Sequence, residues 1–256
     1  MRSCLHYLLF LVVACNARGE WKLESWNELG SLGNSAVAWE AAASSDGHTV
    51  RLSGITFESR DCVFRVIDNP PHNTQSLESA LAGIHAFAGS NGGYFHKDSR
   101  PVGLVVSEGR TVHGFERAKL LSGILVVRRG RIELVRANQF KPGEDLQEAL
   151  QAGPWLVEKS VAVSGLNADR PARRTIVANN GRGSWALIAT SAVTLADAAR
   201  ILRIKDISGS GVIANALNFD GGSSTALRAG VDGRTLIHVA SLGPARNYLA
   251  IVRRHR

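Results

Sequence analysis

The chain has 256 residues, of which 45% are hydrophobic and 20% charged, and its net charge is +8. Those proportions exclude a largely disordered chain and allow one sizeable domain with a true core. The positive balance favours anionic partners, yet no dense Lys/Arg tract is interleaved with aromatics, so a nucleic-acid partner is not expected.

The N-terminus carries a targeting signal. Arg2 precedes the uncharged run Leu8 to Ala14, which ends at Cys15. This run is too short to span a bilayer and has the form of a secretory h-region, so residues 1–15 read as a signal peptide. Val12-Val13-Ala14-Cys15 resembles a bacterial lipobox, which would place a lipid anchor on Cys15. Asn16-Ala17 offers an ordinary cleavage site just beyond, and the two readings stay open. Either one predicts an exported protein, in the periplasm, the outer envelope or the medium. Cys4 and Cys15 fall in this region, which leaves Cys62 alone in the folded part, with no internal disulfide. Cys62 lies in an apolar, strand-like run and reads as a small buried hydrophobe rather than a nucleophile.

Residues 16–34 are polar, carry Trp21 and Trp26, and read as an arm or tether before a domain over 35–256. Strand signals cover Ser35–Ala43, Thr49–Glu58 and Cys62–Asp68, with turns at Ser45-Asp46-Gly47 and Ser59-Arg60-Asp61. Asn73–Ala82 has helical spacing. Val102–Val106, Gly123–Val127 and Arg131–Val135 are short apolar runs, the last two flanking the turn Arg128-Arg129-Gly130. A short helical pattern then precedes Gln151. Ser184–Thr190 and Ile213–Phe219 read as strands around a well-specified helix, in which Thr194 is the cap, Asp197 stands three residues on, and Leu195, Ala198, Ala199 and Leu202 recur at helical spacing. Many short strands with few helices predict an α+β fold of one domain.

Four segments could carry chemistry. In Asn218-Phe219-Asp220-Gly221-Gly222-Ser223-Ser224, strand alternation puts Leu217 and Phe219 on one face and Asn218 and Asp220 on the other. The glycines allow a sharp turn and leave backbone N–H groups open to a ligand oxygen. A polar turn in which Asp220 bonds its own backbone is the alternative. Ser90-Asn91-Gly92-Gly93-Tyr94-Phe95-His96 is compatible with a hairpin as well as a site. Gln151-Ala152-Gly153-Pro154-Trp155 and Arg173-Arg174-Thr175 complete the set; an Arg fork suits phosphate, though an Arg at a strand start is commonly solvated. The eight histidines form no metal-binding spacing, so no metal and no cofactor is expected.

In this order, with Pro101-Val102-Gly103-Leu104 and the tail Pro244-Ala245-Arg246-Asn247-Tyr248-Leu249, the segments resemble the phosphodiester glycosidase domain family, which includes the mannose 6-phosphate uncovering enzyme and exported bacterial relatives. The resemblance runs from about Gly54 to Val252. It implies a strongly curved, mostly antiparallel sheet and hydrolysis of the bond between a sugar anomeric carbon and a phosphodiester oxygen. The substrate would be a phosphorylated glycan or another glycosyl phosphodiester. The positions matching its motifs are Asn91, Gly92, Gly93, Arg174, Thr175 and Asp220 to Ser224; the chemistry of anomeric hydrolysis then assigns Asp220 as the catalytic carboxylate, assisted by Asn91 and Arg174. Gly92, Gly93, His96, Gln151, Gly153, Thr175, Asn218, Gly221, Gly222, Ser223 and Ser224 would bind substrate, with Arg174 and the Gly221-Gly222 amides on phosphate. The chain departs from the family pattern at Phe219, where Leu is commoner. A non-catalytic module binding glycan or phosphate in the cell envelope is the alternative. A serine hydrolase using Ser223 or Ser224 is a further one, although Gly-x-Ser-x-Gly is missing.

Overall fold

The computed structural model describes residues 19–143 and 145–254. The expected signal peptide, the lipobox at Cys15 and the cleavage site at Asn16-Ala17 lie outside the described residues. The chain opens with β1 (Lys22–Gly33), β2 (Ala36–Ser45), β3 (His48–Glu58) and β4 (Cys62–Asp68), then α1 (Leu77–Gly83) and β5 (Ala88–Asn91). A middle group follows: β6 (Val105–Ser107), β7 (Arg110–His113), β8 (Gly123–Arg128), β9 (Arg131–Arg136) and β10 (Leu146–Ala152). The rest comprises β11 (Trp155–Glu158), β12 (Val161–Ala162), β13 (Ala172–Asn179), β14 (Ser184–Val193), α2 (Leu195–Ile201), β15 (Asn215–Asn218), β16 (Leu227–Val231), β17 (Arg234–Val239) and β18 (Asn247–Arg253).

Three sheets result. An eight-stranded sheet runs β1-β2-β3-β14-β13-β15-β11-β12, and two five-stranded sheets run β7-β6-β10-β8-β9 and β17-β16-β5-β18-β4. The strand pairs are antiparallel, and the fold is a single α+β domain. Alternation along the strands builds two cores from one sheet. Val177, Leu187 and Leu217 face inward, onto Phe64, Leu125, Leu150 and Leu249 of the two smaller sheets. Ile176, Ile188 and Ala216 face outward, under Ala198, Ala199 and Ile201 of α2.

The capping pattern of α2 forms as its residues predict: the Asp197 N–H donates to Thr194 Oγ1 at 3.1 Å, and the Thr194 hydroxyl donates to Asp197 Oδ2 at 2.8 Å. Helix α1 begins four residues later than its spacing suggests. Pro70-Pro71 shape the segment before it, and Ser76 is the cap, its Oγ accepting from the Ser79 N–H. The segment read as an arm is β1, the edge strand of the large sheet. Its Trp26 stacks on Trp39 with ring centroids 6.5 Å apart. Cys62 is fully buried, and burial, with Asp61 beside it, pushes its thiol up to about 11. It is the small apolar filler its run suggested, not a reactive thiolate.

The helical pattern before Gln151 is instead strand β10. Its composition (Leu-Gln-Glu-Ala-Leu-Gln-Ala) suits a helix, but β6 and β8 pair on either side of it and override that propensity. Centrality buries Glu148, which accepts from Arg65 Nη1 at 3.0 Å and from the backbone N–H groups of Val66 and Glu108. Burial holds the Glu148 carboxyl above its ordinary value, against these hydrogen bonds. Glu148→Ala would leave two backbone donors and a half-exposed guanidinium without their acceptor. Chemical denaturation should read a loss of about 2–3 kcal/mol.

Candidate active site

Strand β15 ends at Asn218, and the chain then turns through Phe219, Asp220 and a single 3-10 turn over Gly222–Ser224. Phe219 is held in the inner core with Leu217, which fixes the plane of the turn. Two backbone bonds clamp the turn from opposite sides: the Phe219 N–H donates to Thr175 O at 2.8 Å, and the Asp220 N–H to Gly92 O at 3.1 Å. The loop carrying the acid is thus bound at once to β13 and to the segment after β5.

Asn91, wholly buried, ties the same elements through its side chain. Its Nδ2 donates to Asp220 O at 2.8 Å, while its Oδ1 accepts from the Thr175 hydroxyl at 2.7 Å and the Ala226 N–H at 3.0 Å. Gly92 and Gly93 are held by Asn247: the Gly92 N–H donates to its backbone O at 2.9 Å and the Gly93 N–H to its Oδ1 at 2.7 Å. A Cβ on Gly92 would lie 2.1 Å from that Oδ1, so the position has room only for glycine. Asn91, Gly92 and Thr175 therefore shape the site from behind.

Tyr94 is the residue that sequence reasoning missed, although it stands directly after Asn91-Gly92-Gly93. Its phenol donates to Gly153 O at 2.6 Å and accepts from Asn218 Nδ2 at 2.9 Å. Burial, and then the charge of Asp220, raises its pKa well beyond the ordinary range, so it is a neutral hydroxyl. Asn218 Nδ2 also reaches Gly153 O and Phe219 O, at 3.1 and 2.7 Å. The Gly153-Pro154 turn is thereby joined to the acid loop. Gly153 has no room for a side chain, since a Cβ would meet Leu120 O at 1.9 Å. Gln151 points elsewhere: its Oε1 accepts from the N–H groups of Leu104 and Glu116, and its Nε2 donates to Glu116 O. It holds the loop on the neighbouring sheet.

Asp220 is partly buried at the mouth of this framework. Its Oδ1 accepts from the Gly221 N–H at 2.9 Å, and the buried Ser224 hydroxyl bonds its carboxylate. Burial raises its pKa, and those two bonds draw it partway back. Arg174 is half-buried, with Nε on Val193 O at 3.1 Å and Nη2 on Arg170 O at 2.8 Å, which leaves Nη1 outside these bonds. Burial lowers its pKa and the nearby Tyr94 counters, but a guanidinium stays charged. Arg173 instead braces the backbone, donating to Thr225 O and Ala240 O. Gly222 has φ of +62° and open space where a Cβ would stand. Ser223 is exposed. Among the described residues no histidine hydrogen-bonds Ser223 or Ser224. His96 is exposed on the 96–100 turn, where its N–H donates to Arg100 O, and no bond joins it to the cluster. No group of three potential metal ligands occurs among the described residues. A cavity of about 1230 Å³, lined by Phe115, Phe140 and Leu146 on the outer face of the middle sheet, contains none of these residues.

The cluster thus offers a carboxyl with raised proton affinity, a cation with one edge outside its backbone bonds, and a glycine on the acid loop with open space where a Cβ would stand. A family model described as phosphodiester glycosidase matches residues 85–251, which span the whole cluster. Among solved structures, the catalytic domain of zebrafish N-acetylglucosamine-1-phosphodiester alpha-N-acetylglucosaminidase, auto-inhibited by its pro-peptide, superposes with a TM-score of 0.62 at 17% identity. That match covers 93% of this chain and 89% of the zebrafish one. A hypothetical protein from Synechocystis matches with a TM-score of 0.58, also at 17% identity, over 86% of this chain and 62% of its own. At such identities the likeness is one of fold. No curated protein sequence matches the chain.

The raised pKa of Asp220 has a consequence for stability. A carboxyl whose folded pKa exceeds its unfolded value favours the fold when protonated, and that contribution is lost as pH rises through the folded value. At neutral pH the ionised Asp220 is therefore a cost to stability. Asp220→Asn keeps an oxygen to accept from Gly221 and should raise Tm at pH 7. The difference should shrink as pH falls below the ordinary carboxylate range, as thermal melts across pH 3–8 would show.

Proposed function

The chain belongs to the phosphodiester glycosidase family, and we propose that it is an exported hydrolase that cleaves the sugar–phosphate bond of a glycosyl-1-phosphodiester. The observation that carries this reading is Asp220: a partly buried carboxyl, raised in pKa, on a loop clamped from both sides and packed at Gly221 against the backbone of Arg173 and Arg174. Rigid placement with a raised proton affinity suits a group that exchanges a proton during catalysis. Export rests on the N-terminal signal, with a lipid on Cys15 as one form of it.

In the proposed reaction, water adds to the anomeric carbon as the bond from that carbon to the phosphate oxygen breaks. The electron pair leaves with the phosphomonoester, and the water proton passes to the Asp220 carboxylate. The leaving phosphate is stable as an anion, so it has less need of a second acid than the alkoxide of an ordinary glycoside. Asp220 also faces the positive charge that develops on the sugar ring. Arg174, through Nη1, and the Gly222 amide would hold the phosphate oxygens. The Gly221 amide is engaged by Asp220 and serves to aim it. Asn91, Thr175 and Tyr94 act behind the carboxylate as positioning residues. Gly93 and Asn218 support the same backbone.

Incubating the protein with sugar-1-phosphodiesters should release reducing sugar and phosphomonoester together. Asp220→Asn should lower kcat by about 10²–10⁴-fold, with the folded state intact by circular dichroism. Full activity in that variant would remove Asp220 from the chemistry. Binding without turnover over a broad substrate panel would favour a non-catalytic glycan-binding module.

A further inference from the structure

Strands β13 and β15 run antiparallel, Ile176 opposite Asn218 and Asn179 opposite Asn215. The Asp220 cluster occupies one end of this pair. A cleft of about 710 Å³ occupies the other, lined by Asn179 and Asn215 together with Arg60, Arg129, Arg131 and Arg254. At strand rise the two ends are separated by roughly 16 Å. The four arginines come from three distant regions of the chain: the β3–β4 turn, the β8–β9 hairpin and the segment after β18.

Arg254 assembles the cleft. Its N–H donates to Asp61 O at 2.8 Å, its Nε to Ser59 O at 2.7 Å, and its Nη2 to Gly130 O. One guanidinium thereby joins two hairpin turns through carbonyls rather than through a carboxylate. Arg60 lies 3.6 Å from Asp61, and Arg129 lies 3.2 Å from Asp145, which Arg128 shares at the same distance. Arg131 and Arg254 have no carboxylate partner among the described residues, and Glu133 is the one acid lining the cleft. Positive charge gathered at one place opposes folding through self-repulsion. Guanidinium forks match phosphate oxygens in pairs, and several along a trough match a chain that repeats them.

We infer that this cleft binds a linear polymer bearing repeated phosphates, at a site separate from Asp220. The concave shape selects an extended chain over a bilayer, because a flat anionic surface would reach the exposed Arg60 and Arg129 but not the half-buried Arg254 between them. The inference does not depend on the proposed hydrolysis, since no residue of the cleft belongs to the acid loop.

The test is isothermal titration of the full chain with orthophosphate, tripolyphosphate and a linear polyphosphate of about ten units at low salt. Affinity should rise with length and fall steeply as salt is added. Arg60→Ser with Arg131→Ser should weaken polyphosphate binding by about tenfold or more, with hydrolysis of a small sugar-1-phosphodiester unchanged. Arg110→Ser with Lys119→Ser makes the same change in net charge elsewhere on the surface and should alter binding by less than about twofold. Equal losses in the two double variants would mean diffuse charge and overturn the cleft. So would an absence of polyphosphate binding, or tighter binding to phosphatidylglycerol vesicles than to polyphosphate. If no sugar phosphodiester is turned over, the titration still decides the cleft on its own.

Discussion

The side-chain amide of Asn91 is the contact on which the site depends. It stands at the end of β5 in one sheet, takes the Thr175 hydroxyl of β13 in another, and bonds the loop that carries Asp220 at both Asp220 O and the Ala226 N–H. A buried amide with both ends engaged is stabilising only while every partner is present, because each stranded group would carry the full cost of its desolvation. Geometry is therefore enforced in common: the sheets cannot shift against each other without breaking the bonds that aim the acid. Asn247, on the neighbouring strand β18, has the parallel role of holding both amides of Gly92-Gly93.

That arrangement explains a division of labour among the polar residues. Asn91, Thr175 and Gln151 are buried and direct their hydrogen bonds to the protein itself, and the buried Asn218 does so through Nδ2, its Oδ1 having no partner among the described residues. Asp220, Arg174 and Gly222 are less enclosed and retain unoccupied donor or acceptor capacity. A preorganised site needs few free groups and many committed ones, since preorganisation comes from the groups that cannot move. Tyr94 belongs with the committed set: its neutral phenol links the Gly153 carbonyl to Asn218 beneath the acid loop.

The molecule also has two chemically distinct ends. The acid loop lies where β13 begins and β15 closes, and the arginine cleft lies where β13 ends and β15 opens. Hairpin turns supply the cleft, so its charges sit on short connections held in place by rigid strands. Its assembly by Arg254 shows how that residue and the Arg129-Gly130 turn, ordinary when taken apart, become one feature when β18 brings them to the same edge.

By itself the sequence determined the strand-rich class, the Thr194 cap of α2, the shared inner face of Leu217 and Phe219, and the burial of Cys62. Each of these depends on local propensity or on a period of two or 3.6 residues, which can be counted along the chain. The motif order was likewise legible, and it pointed to the acid loop before any geometry. Tertiary structure decided the rest. Only pairing between β6 and β8 made Leu146–Ala152 a strand, against the helical preference of its residues. Only the packing of three sheets separated Asn91, which is wholly buried and braces, from Asp220, which is partly exposed. Hydrogen-bond partners 84, 129 and 135 residues away define what that amide does, and no local pattern encodes contacts at such separations.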